Sequence, residues 1–142
     1  GDHKPLITTS GDFYGELGIN TDWTTEEGLR NYYGTRYLIW ANSAAKEKLG
    51  TDFTGEGPAL SPCFLMSYVF DQLGWEGSAM TQIDRAVMRR VPVVQGNGVY
   101  LLDGAVTREL PAEEQALLEK LTWMQYYANH SFSELASRYG AD

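Results

Sequence analysis

An adjacent carboxylate and imidazole, Asp2 and His3, stand inside Gly1-Asp2-His3-Lys4-Pro5. Carboxylate oxygen and imidazole nitrogen are the donors that a hard-to-borderline divalent metal accepts. Neighbouring ligands on a strand-end loop both reach one ion when the backbone turns. Two ligands do not close a site, and a pair placed this early leaves no room to gather others upstream. The pair therefore predicts part of a metal site whose remaining ligands precede residue 1. On that reading the chain is the tail of a larger metal-dependent protein. The competing reading is two frayed terminal residues.

Other reactive side chains have simpler explanations. His130 lies on a polar helix end, where a surface or capping role is expected. Ser61 precedes Pro62, which makes it a helix N-cap before it is a nucleophile. Glu26-Glu27 and Glu113-Glu114 are adjacent acids at helix starts, where the helix dipole favours them without acid–base catalysis. Gly96-Asn97-Gly98 is a hairpin turn and not a phosphate cradle, since neither Lys-Ser/Thr nor a helix follows. Cys63 falls in a helical stretch and is expected to be buried and inert. No catalytic residue is assigned within the chain.

The bounds are consistent with a folded domain. The 142 residues are 43% apolar and 13% aromatic, which excludes a disordered linker. Net charge is -8, and Arg89-Arg90 is the only basic cluster, so nucleic acid is not an expected partner. One cysteine allows neither an internal disulfide nor a cysteine zinc site. No apolar run approaches the ~20 residues that span a bilayer, so this piece is expected to be soluble. Trp23, Tyr32, Tyr33, Trp40, Trp75, Trp123, Tyr126 and Tyr127 could form a sugar- or polymer-binding platform. Packing inside the fold is the favoured reading, because large rings contribute much of a core's buried area.

The elements that must position these groups follow from pattern. Residues 8–24 read as a loop that packs a few rings. Thr24 caps a helix, with Glu27 at the capping-box position, Tyr33 near its end and Gly34 as a left-handed stop. Arg36–Ala41 is apolar on both faces and reads as a buried strand with no neighbour in this chain. A turn or two of helix over Ala44–Leu49 closes at Gly50. Ser61-Pro62 starts a helix with Leu65, Tyr68, Val69 and Leu73 on one face, ended by Gly74. Ser78 caps the next, where Met80, Ile83 and Val87 line a face before Pro92. From 92 to 110 the period changes to a three-stranded meander, with turns at Gly96-Asn97-Gly98 and Asp103-Gly104. Pro111 starts the longest helix, striped by Leu117, Leu121, Met124 and Ala128, and Phe132–Tyr139 adds a short terminal helix. Helices, then a meander, then a long helix predict an α+β class. By length the chain suits one domain of ordinary size.

Four stretches, in order, resemble one family. Gly1-Asp2-His3-Lys4-Pro5 resembles the Gly-Asp-His-x-Pro segment of the alkaline phosphatase/sulfatase superfamily, in its lipoteichoic acid synthase and phosphoglycerol transferase branch. Thr35-Arg36-Tyr37-Leu38-Ile39-Trp40-Ala41-Asn42 is similar to that branch's Thr-Pro-Leu-Ile-Ile-Trp-Ala-Asn strand. Leu60-Ser61-Pro62 through Leu73-Gly74 is similar to its next helix, and Ala86–Val94 to its helix followed by Pro-Val-Val. Lys4 and Arg36 depart from the commoner apolar residue and Pro. The resemblance covers roughly residues 1–125. It implies the C-terminal part of an alkaline-phosphatase-like α/β fold, with 1–90 ending the catalytic domain and 91–142 a C-terminal subdomain. It implies that Asp2 and His3 ligate Mn, Zn or Mg, in a site completed by an upstream Thr nucleophile and acidic ligand. It further implies a membrane-anchored parent with an extracellular catalytic domain, acting on a lipid-linked or glycan substrate. The chain alone is then inactive, partnered by the upstream domain, and prone to self-association through its open strand edge. Asn129-His130-Ser131 has the form of a glycosylation sequon, discounted because the family is mainly bacterial. A true sulfatase, or a non-enzymatic glycan- or protein-binding module, are the alternatives.

Overall fold

The computed structural model describes residues 12–139. Among them are six α-helices and a three-stranded antiparallel sheet, ending in a long helix, so the class is α+β as expected. Internal contacts divide the chain into two units, Gly1–Phe53 and Thr54–Asp142. The boundary expected after residue 90 falls inside the second unit.

In the first unit α1 (Phe13–Glu16) is a single turn inside the expected loop. Asp12 caps it, accepting a hydrogen bond from the Gly15 amide at 2.9 Å. α2 (Glu26–Tyr33) starts one residue later than its pattern suggests. Thr25 is the cap, accepting from the Gly28 amide at 3.0 Å. The Thr24 hydroxyl is already committed to the Asp22 carboxylate at 2.7 Å. Gly34 does end α2, but with φ -66 and ψ 130 it is extended and not left-handed. Its amide takes the Arg30 carbonyl at 2.8 Å, and the chain leaves without reversing. α3 (Ser43–Leu49) is capped by Asn42 and closed by Gly50 at φ 66, a true left-handed stop.

The strand expected over Arg36–Ala41 does not form, and the stretch joins no sheet among the described residues. A strand is defined by the neighbouring strand that takes its backbone hydrogen bonds, and the one sheet among the described residues is the three-stranded meander of the second unit. Exposure nevertheless alternates residue by residue along 36–41. Leu38 and Trp40 lie on the open side, 86% and 75% exposed.

In the second unit a 3-10 turn (Pro62–Phe64) leads into α4 (Leu65–Gln72). Ser78 caps α5 (Ala79–Arg90) through the Thr81 amide, as its sequence indicates. β1 (Val93–Gln95), β2 (Val99–Leu102) and β3 (Ala105–Thr107) form the meander in order 1-2-3. Gln95 pairs with Val99 across Gly96-Asn97-Gly98, and Leu102 pairs with Ala105 across Asp103-Gly104. Asp103 and Gly104 both take positive φ, 50 and 81, which matches the right-handed twist of a two-residue hairpin. α6 (Ala112–Tyr139) follows Pro111 as one helix, so the separate terminal helix expected over Phe132–Tyr139 is instead its continuation. No breaker stands between the two parts.

The core of this unit is small. Phe64, Val87, Met88 and Leu121 cluster, with Leu60, Tyr68, Met80, Ile83, Val94, Leu117 and Leu118 packed around them. α5 against α6 is the most extensive packing between elements. The expected stripes on α5 and α6 supply Val87 and Leu121, whereas Met88 and Leu118 come from beside them.

Candidate functional site

Asp2 and His3 lie outside the described residues, so their geometry is not on view. Among the described residues no group of three or more His, Cys, Asp or Glu could hold a metal ion. The donor chemistry of Asp2 and His3 suits a divalent ion.

Ser61 occupies the N-cap position but does not cap its helix. It is buried at 5% exposure, and its hydroxyl bridges to β1. It accepts from the Val94 amide at 2.8 Å and donates to the Val94 carbonyl at 2.9 Å. The Ser61 amide adds a bond to the Pro92 carbonyl at 2.8 Å. The hydroxyl's proton is thus committed to a backbone carbonyl, which leaves Ser61 structural.

Cys63 is exposed, against the expected buried position. The 3-10 turn, and not a regular helix, carries it, and this turns the residue outward while Phe64 goes in. Partial shelter of the thiol still pushes its pKa up, and the Asp84 charge pushes it further. A thiol held above its ordinary range is a poor nucleophile near neutrality. Asp84 is itself raised by burial, opposed by the Ser67 hydroxyl at 3.4 Å.

The acids at helix starts divide into two kinds. Glu26 sits 3.6 Å from Arg30 one turn on, and Glu27 lies 3.5 Å from the Asn20 amide, both exposed. Glu113 is exposed, 3.9 Å from Arg90. Glu114 is different: its side chain is only 5% exposed and pairs with Arg90. Arg90 Nε donates to Glu114 Oε1 at 3.0 Å, and a second guanidinium nitrogen donates to the same oxygen. The Arg90 hydrogen bond holds the Glu114 carboxyl below its usual range. The sequence offers no local signal for this pair, because 24 residues and the whole meander separate its partners. Arg89 is likewise engaged, at 2.6 Å from Asp71. Arg85 lies 3.5 Å from the same carboxylate and donates to the Trp75 and Glu76 carbonyls. These cations bind the fold to itself.

The aromatic side chains depart furthest from expectation. All eight that pattern assigned to packing are exposed, from 45% at Tyr33 to 75% at Trp40. On α6 they are organised. Trp123 meets Tyr126 edge to face at 6.1 Å, and Tyr126 stacks on His130 at 4.1 Å. His130 is exposed, as expected, with Nδ1 2.9 Å from the Tyr126 carbonyl. Beside this ladder an open groove of about 690 Å³ runs between α5 and α6. Ala79, Ile83, Trp123, Met124, Tyr126 and Tyr127 line it, and its walls are almost wholly apolar apart from Lys120. Such a surface can bind by burial and stacking, but it holds no acid–base pair.

Comparison with known protein families, curated proteins and solved structures finds no match to this chain.

Proposed function

We propose that this chain is the C-terminal part of a metal-dependent enzyme of the sulfatase type, in its phosphoglycerol transferase branch, which moves or hydrolyses a phosphoester of the cell envelope. Support begins with the four stretches from Gly1-Asp2-His3 to Pro92-Val93-Val94, in the family's order. The observation that carries the reading is Leu38 and Trp40. Two large apolar side chains stand in solvent on one side of a stretch whose exposure alternates every second residue. A segment patterned for the interior of a sheet calls for cover from strands supplied elsewhere in the protein. Asp2 and His3 would ligate Mn, Zn or Mg, which would stabilise charge on the phosphoryl group. The nucleophile and remaining ligands would come from an upstream domain, anchored in the membrane and facing outward. By itself this chain is inactive.

The test is the coding sequence upstream of Gly1. Membrane-spanning helices, then a domain with a Thr nucleophile and an acidic co-ligand, are expected. A sulfatase signature with Cys or Ser in place of the Thr moves the reading to a true sulfatase. A short leader and nothing more overturns it. Phosphodiester or sulfate-ester turnover by the purified chain that Asp2→Ala abolishes overturns its inactivity in isolation.

A second reading, a glycan- or protein-binding module, is favoured by the exposed rings of α6 and the apolar groove beside them. Glycan-array binding that is lost in Trp123→Ala, with no catalytic domain upstream, would select it. Among the described residues no helix is long and apolar enough to cross a membrane.

A further inference from the structure

We draw no further inference here: the strongest candidate, the open apolar groove between α5 and α6 lined by Ile83, Trp123, Met124 and Tyr127, carries none because nothing in the structure shows what covers it.

Discussion

Two small residues matter more to this fold than their size suggests. The Ser61 hydroxyl is both donor and acceptor to Val94, from a position 33 residues away. Ser61→Ala removes the partner of the half-buried Val94 amide while leaving the amide in place. Loss of one side of a buried pair costs about 1–3 kcal/mol. We expect chemical denaturation of Ser61→Ala to show a fall of that size in the stability of the second unit, with Ser61→Thr less affected. Gly28 is the other case. A Cβ there would fall on the Asp22 carbonyl oxygen, well inside contact distance, and that backbone cannot swing aside as a side chain would. Alanine ordinarily favours a helix interior over glycine by about 1 kcal/mol. Here the crowding exceeds that gain, so Gly28→Ala is expected to destabilise the first unit by about 1–3 kcal/mol. Faster amide exchange at the buried Leu29 would report it. Neither dependence is visible in the sequence. Ser61 reads as a cap because Pro62 follows it, and only the return of β1 shows where its hydroxyl goes.

At the scale of elements, α5 and α6 are joined by a core and by a bolt. Leu121, 4% exposed, sits in the core with Phe64, 1% exposed. Truncating them to alanine is expected to cost about 2–5 and about 3–5 kcal/mol respectively. Thermal unfolding followed by circular dichroism at the α6 helical signal would measure both. The bolt is Arg90–Glu114, which ties the end of α5 to the first turn of α6. Folding lowers the Glu114 pKa below 4.5. Its contribution is therefore complete above the unfolded value and fades as pH falls through the folded one. The advantage of the native chain over Glu114→Gln should be flat from pH 7 to about 5, then shrink on further acidification. Urea midpoints across that range, at low and high salt, test the sign. Arg90 is more than half exposed, so salt should weaken the effect. A difference that grew toward acid pH would contradict the pairing. The helices, their stops at Gly50 and Gly74, and the meander were legible because they rest on local rules: caps, left-handed glycines, a change of period. The continuity of α6 through Phe132–Tyr139 was not, because a helix that runs on without a stop residue carries no local mark of its length.

For the molecule as a whole, the sequence pattern promised more interior than the chain builds. Its bulky rings and its Arg36–Ala41 run have the composition of buried elements, and pattern reading places them inside. The described residues bury only seven hydrophobic side chains, while Leu38, Trp40, Trp123, Tyr126 and others stand in water. Pattern records what a residue is suited to, and burial also requires a partner surface that one segment cannot reveal about itself. What the exposed surface should do in isolation can be measured. An apolar strand-like segment without a sheet recruits another chain. Sedimentation velocity of the purified chain should show a weight-average mass that climbs with concentration. Leu38→Lys combined with Trp40→Lys places charge on the open side and should hold the chain monomeric over the same range, with its circular dichroism spectrum unchanged. If the double variant associates as strongly as the native chain, this segment is not the contact, and cover by foreign strands loses its main support. If instead Trp123→Lys alone abolishes association, the ring face of α6 is the sticky surface, and the binding-module reading gains.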